Sequence, residues 1–451
     1  MKVHFVGVGG AGMSALAQIR ALSGDVVTGS DRLADRGGLG ETGRRLEAAG
    51  IKIFAQDGSG LSKDTGRVVI STAIETDNPD LKRAEELGLP VVHRAEELAE
   101  LAASRRTVAV AGTSGKSTVT AMIFHILEAA GLGSSLAAGA PLPSLRRRGL
   151  LGNAWRGTSD LLVIEADESD GTLTRYKPSL GVLLNISKDH KDLAELFDLF
   201  RQFRAHSARL VVNADAPGLS EFIPGSLTFG FSAGDLRGRE LKLSADACRF
   251  EVEGVPFNIP APGRHNAENA LAAAAACREL GVTLAQSAAA LQGFEGVGRR
   301  FEVLGRARGV EVIDDFAHNP EKLRAAFAAA RLRARRLLAV FQLHGFAPAR
   351  FMKKEFLEAL SDSLTPEDVL WLPEIYYAGG TAAKDISAKD YAQALSAKGL
   401  DARYAAAREE IAGTICAEAK PGDLVLVMGA RDPSLGDFAA DILSRLKEGS
   451  S

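Results

Sequence analysis

Cysteine is scarce in this 451-residue chain: Cys248, Cys277 and Cys416 stand far apart with no CxxC pair. That argues against a disulfide scaffold or a cysteine-built zinc site and fits a reducing compartment. Positive charge is not in excess either. With 54 basic and 57 acidic residues the net charge is −3, so nothing global draws the chain to nucleic acid or to an anionic membrane. No run of about 20 uninterrupted apolar residues occurs, so a membrane span is not expected. The opening MKVHFVGVGGAGMSALAQ is interrupted by Gly7, Gly9, Gly10 and Gly12, unlike a signal peptide. These absences lead to the expectation of a cytoplasmic protein with no nucleic-acid or membrane partner.

What is present is ordinary globular material, 46% hydrophobic and 25% charged, and too long for one core. Short β-branched runs (VHFVGV, RVVIST, TVAVAG, LLVIEA, LGVLLN, RLVVN, LLAVFQ, LVLVMG) alternate with Ala/Leu-rich segments. This alternation predicts an α/β protein with parallel sheets and crossover helices. Three blocks separate: residues 1–104, 105–297 and 298–451. The second carries a polar, β-like interval near 226–260.

Two loops carry chemistry. FVGVGGAGMSALAQ is a strand, a glycine turn and a helix, in which Gly7, Gly9 and Gly12 fit GxGxxG and Asp31 closes the next strand. Such a turn lets backbone N–H groups meet a pyrophosphate at a helix start. The pattern identifies a diphosphate nucleotide, with NAD one candidate and a nucleotide-borne substrate another. The sharper signal is TVAVAGTSGKSTVTAMIF. Gly112, Thr113, Ser114, Gly115, Lys116, Ser117 and Thr118 form a phosphate loop between strand and helix, although Val110 stands where the first glycine of GxxxxGK[ST] belongs. Lys116 suits the β/γ-phosphates and the Ser117 hydroxyl suits Mg²⁺. Downstream, LLVIEADESD ends in Glu165, Asp167, Glu168 and Asp170, and LGVLLNISKDHKD delivers Asp189 and His190, at the strand ends where α/β folds bind ligands. Two nucleotide-type loops in separate blocks disfavour a simple dehydrogenase.

Taken together, HFVGVGGAGMSALA, GSD (29–31), STAIETDNPD (71–80), AGTSGKST, EADESD, the DH at 189–190, GRHNAEN (263–269), GVGRRFE, DDFAHNP (314–320) and FQLH (341–344) resemble the Mur ligases, the ATP-dependent amino-acid ligases of peptidoglycan synthesis. The resemblance covers nearly the whole chain. It implies a Rossmann-like first domain, a central P-loop ATPase-like domain and a Rossmann-like third domain. The first would bind a UDP-substrate through Gly9, Gly10, Gly12 and Asp31, with Ser71 and Ala73 nearby. Ser117, Glu165 and His190 would hold Mg²⁺. Asn266, Asn269, Arg300 and Asp315 would contact ATP, and Phe316, His318 and His344 would meet the amino acid. Lys116, Glu165, His190 and His318 are the implied catalytic set. The small-molecule substrates would be ATP, UDP-N-acetylmuramate and an amino acid, L-alanine in the branch whose motifs fit best. A monomer or homodimer is expected.

The chain departs from that branch in several places. Ser114 replaces the His of GTHGKT, Phe316 a common Tyr, and Asn319 the second His of AHHP. Where FQPHRYSR is usual, Gly345 and Pro348 take the places of two arginines implied to grip phosphate or the incoming carboxylate. Arg350, two residues further on, is the substitute that the spacing offers. These changes keep three alternatives in view: a related recycling ligase that attaches a peptide to UDP-N-acetylmuramate, an NAD-dependent oxidoreductase, and a silent nucleotide-binding protein.

Overall fold

A computed structural model describes residues 1–35, 39–168, 172–187, 193–377, 383–432 and 434–448. Each block builds its own sheet. The first has five strands, Lys2–Val6, Val26–Ser30, Lys52–Phe54, Arg67–Ile70 and Val91–His93, in the order third, second, first, fourth, fifth, and every pairing is parallel. The winding reverses beside Lys2–Val6, so the glycine turn after that strand opens into the crevice where such sheets bind ligands. The helix that follows, Ala11–Leu22, buries Met13, Ala15, Leu16, Ala17 and Ile19.

The second sheet has ten strands. At its centre Arg106–Ala111 pairs in parallel with Leu180–Leu183 on one side and Leu161–Glu165 on the other. Both neighbours therefore deliver their C-terminal residues beside the turn that leaves Ala111. Ser135–Ala137 and Ala154–Trp155 complete one side, and the other continues through Leu210–Asn213 and then the β-like interval, Leu227–Gly230, Leu236–Leu243, Cys248–Val252 and Val255–Ile259. The central strands Arg106–Ala111, Leu161–Glu165 and Leu180–Leu183 are apolar on both faces because helices such as Lys116–Ala129 and Leu193–His206 cover them, whereas the outer strands of the β-like interval alternate buried and exposed residues.

The chain divides into two compact units, one of residues 1–241, 249–260 and 267–297, the other of 242–248, 261–266 and 298–451. The second unit holds a six-stranded sheet in the order Glu302–Ala307, Val310–Asp315, Leu424–Gly429, Leu337–Gln342, Val369–Pro373, Asp401–Ala405, parallel except for its first pair. One face packs Phe327, Phe341, Phe356 and Tyr391; the other packs Val312, Val340, Trp371, Ile411 and Ile442. Among the described residues no helix is long and apolar enough to cross a membrane.

Candidate active site

The phosphate loop lies in the first unit. Gly112 and Gly115 adopt φ of +137° and +87°, and Gly115 starts the helix Lys116–Ala129. A Cβ on Gly115 would stand 2.6 Å from Asn269 Oδ1, so only glycine satisfies both the backbone and the space. Asn185, at the end of the neighbouring strand, clamps the loop. Its Oδ1 accepts from the Thr113 hydroxyl and the Ser114 amide, both at 2.9 Å, while its Nδ2 donates to Ser114 O at 3.1 Å. Ser187 donates its amide to Thr113 Oγ1 at 3.0 Å. The Ser114 hydroxyl is buried with no partner among the described residues.

Lys116 donates to Gly112 O at 2.8 Å and to Glu168 Oε2 at 2.7 Å. Burial works against its charge, but the carboxylates of Glu168, Asp167 and Glu165 outweigh it and hold the ammonium above the ordinary lysine range. Ser117 Oγ donates to Glu165 Oε2 at 3.1 Å, and the other Glu165 oxygen accepts from the Gly139 amide at 2.7 Å. A serine hydroxyl and a carboxylate converging beside a phosphate loop are hard oxygen donors of the kind Mg²⁺ takes, so this pair fits the ion. The third expected ligand, His190, and its neighbour Asp189 lie outside the described residues, as does Asp170.

At the first glycine turn, Gly7 and Val8 donate to Ser30 O and Gly10 to Gly7 O. Asp31, read as a ribose or UDP ligand, accepts from the Gly9 amide and the Leu33 amide, both at 2.9 Å. Its carboxylate therefore anchors the loop. Among the described residues, the donors this turn leaves open are the amides of the first helical turn, Ala11, Gly12 and Met13. Ser71 and Ala73 form a turn closed by Ile74 N donating to Ser71 O at 3.1 Å, and the Ile74 side chain abuts Gly7. A guanidinium also lies here: Arg94 Nη1 is 3.0 Å from where a Cβ on Gly12 would stand.

In the second unit, His318 and His344 follow the strands on either side of Leu424–Gly429, with ring centroids 5.4 Å apart, and Phe316 lies edge-on to His318. His318 Nδ1 is 2.8 Å from Phe316 O, a pure acceptor, so Nδ1 carries the proton and Nε2 is the basic nitrogen. Lys322 Nζ stands 3.4 Å from that Nε2. Arg300 lies over the Phe316 ring at 4.3 Å. Asp315 accepts from the Phe301 amide at 2.6 Å and the Ala317 amide at 2.7 Å; burial raises its pKa and Arg300 opposes that. Asn266, in the same unit, donates to Pro262 O at 2.7 Å, whereas Asn269 belongs to the first unit. The candidate ATP residues are thus divided between the units. Arg350, the substitute that the spacing offers for the missing arginines, is engaged with Asp385 and Ala383 O on an exposed face.

Several participants escaped sequence reading. Asn185 ends an unremarkable apolar run, Arg94 follows a short strand, and Lys322 sits one helical turn past His318; no local motif marks any of them.

A phosphate loop with hard oxygen donors on a mainly parallel sheet, in a chain that builds three separate α/β sheets, defines a multidomain nucleotide-using enzyme. Family comparison narrows the class. Residues 2–106 match the Mur ligase family catalytic domain, 110–277 the Mur ligase middle domain, and 299–431 the Mur ligase glutamate ligase domain. The UDP-N-acetylmuramate–L-alanine ligase of Pelotomaculum thermopropionicum is 36% identical over 99% of this chain and 98% of its own. That of an Arthrobacter species is 39% identical over 94% and 90%. Among solved structures, the UDP-N-acetylmuramate-alanine ligase of Thermotoga maritima superposes with a TM-score of 0.83 at 26% identity, covering all of both chains. A murein peptide ligase from Psychrobacter arcticus shares the fold, with a TM-score of 0.70 at 23% identity and 99% coverage of each. The chain belongs to the Mur ligase family and is an ATP-dependent ligase. The oxidoreductase alternative is thereby set aside: its glycine turn serves a ligase.

Proposed function

We propose that this enzyme joins L-alanine to the carboxylate of UDP-N-acetylmuramate at the expense of ATP, in the cytoplasm, where both nucleotides reside. The observation that carries the reading is the convergence of Lys116, Ser117 and Glu165 at the phosphate loop of a chain alike end to end to alanine-adding ligases. A carboxylate does not react with an amine in water. Transfer of the ATP γ-phosphoryl to the muramoyl oxygen yields an acyl phosphate and ADP; the neutral amine then attacks the acyl carbon, and phosphate leaves with the C–O bond electrons. Lys116 supplies a fixed positive charge as the two anions approach, after exchanging Glu168 for phosphate oxygens. Ser117 and Glu165, with His190, would hold Mg²⁺, which when bound would supply neutralising charge for the triphosphate. Gly112 to Thr118 cradle the phosphates, and Asn266, Asn269, Arg300 and Asp315 contact the rest of ATP. Gly9, Gly10, Gly12, Asp31, Ser71 and Ala73 form the UDP-side pocket, with Asp31 as its internal anchor. Phe316, His318 and His344 face the amino acid, and the basic Nε2 of His318 suits it to orient or deprotonate the amine.

The test is phosphate release from ATP with UDP-N-acetylmuramate and a panel of amino acids and short peptides. L-Alanine should be the best acceptor, and Lys116→Ala should lower turnover at least about a hundredfold. Release dependent on a peptide but not on L-alanine would establish the recycling reaction instead.

A further inference from the structure

The glycine-loop helix of the first sheet is fastened to the second sheet by a buried amide network. Asn153, 3% exposed, accepts from Gln18 Nε2 at 2.8 Å and donates to Ala11 O at 2.9 Å and to Ser14 Oγ at 3.0 Å. Gln18 and Ser14 are fully buried, and Gln18 Oε1 accepts from the Leu151 amide at 3.3 Å. Two apolar surfaces packing together would need none of this. Directional hydrogen bonds with buried partners specify a single register, and each becomes costly if the surfaces slide. The network also has a second end. Ala138 N donates to Asn153 O at 2.9 Å, and the next amide, Gly139 N, holds Glu165 Oε1 at 2.7 Å. A Cβ on Gly139 would lie 3.0 Å from the other Glu165 oxygen, so the backbone meets that carboxylate closely and a side chain here would press on it.

We infer that Asn153 is a positioning residue: through Ala138 and Gly139 it holds the start of the glycine-loop helix at a set separation from Glu165, and so aligns the two substrates for phosphoryl transfer. Ala11, at one end, opens the helical turn whose amides face the first nucleotide; Glu165, at the other, faces the second. The inference rests on the functional reading above for what the two loops bind, but not for the linkage itself.

Asn153→Leu fills the same volume and removes the directional bonds; Gln18→Leu does so from the opposite side and serves if the first variant does not fold. In the full-length enzyme, kcat should fall at least tenfold. The separate affinities for UDP-N-acetylmuramate and for Mg²⁺ with a non-hydrolysable ATP analogue should change less than threefold by calorimetry. The double variant should lose no more than the worse single one, as members of one network do. Hydrogen exchange gives a readout independent of turnover. Loading the phosphate loop with the analogue should slow exchange across residues 9–16 in the wild type and leave it unchanged in the variants. A folded variant whose kcat stays within twofold, or an identical exchange response in wild type and variants, overturns the inference. A wild type that turns over none of the panel refutes the functional reading, while the exchange comparison still decides this one.

Discussion

Single side chains in this enzyme carry charges whose neighbours decide what they do. Glu165 has one oxygen on Ser117 and the other on Gly139, so Glu165→Gln retains the shape and removes the charge. The Mg²⁺ concentration for half-maximal rate should rise about tenfold, the cost of roughly 1.4 kcal/mol of lost ion binding, as titration of activity against Mg²⁺ would show. Asp314 behaves differently. It is 1% exposed, one of its oxygens has no partner among the described residues, and burial lifts its pKa from 3.8 to about 6 despite Arg299 at 3.0 Å. A raised acid binds its proton more tightly when folded, so its contribution is complete below the unfolded value. It is lost as pH rises through the interval from 3.8 to about 6. Asp314→Asn should abolish that dependence: its stability relative to wild type should increase by about 3 kcal/mol between acid and neutral pH, read from denaturant midpoints. Arg350 shows the converse lesson. Spacing offers it as a stand-in for absent arginines, and Asp385 is the partner that engages it.

At the scale of elements, the departures from family pattern acquire local explanations. Asn319, where a histidine is usual, caps the helix Pro320–Arg331: its side chain accepts from the Lys322 amide at 2.9 Å and it is 1% exposed. Asn is among the best residues for that position, and Pro320 follows at the first helical place. Asn319→Ala should cost about 1 kcal/mol and lower the melting temperature of the chain, measurable by calorimetry. Gly345, in place of an arginine, takes φ +70° and begins the short helix Phe346–Phe351, with its amide donating to Tyr376 O at 2.8 Å. The runs read as strands all form strands because each is a short β-branched segment bounded by turn residues. The phosphate loop was equally legible, since its glycines answer a backbone requirement within seven residues. Asn185 was not, because its role arises from a strand pairing that brings together residues 71 positions apart.

At the scale of the whole molecule, occupancy of two nucleotide loops is what separates a ligase from a dehydrogenase. UDP-N-acetylmuramate and Mg²⁺–ATP should each raise the melting temperature, by about 2.7 kcal/mol of stabilisation at a hundredfold excess over Kd, and NAD should not. A shift with NAD alone would overturn the assignment of the first loop. Composition, strand and helix periodicity, both glycine loops and the family motifs are properties of contiguous residues, and the amino-acid order determined them by itself. Tertiary structure alone decided that Asp31 serves its own loop, that Lys116 rests on Glu168, that Arg350 turns to Asp385, and that Asn153 ties one sheet to the other. The physical reason is range. Backbone geometry and hydrophobic patterning act between near neighbours, whereas the partner of a buried polar group is whichever distant residue the packing of sheets and helices brings within about 3 Å.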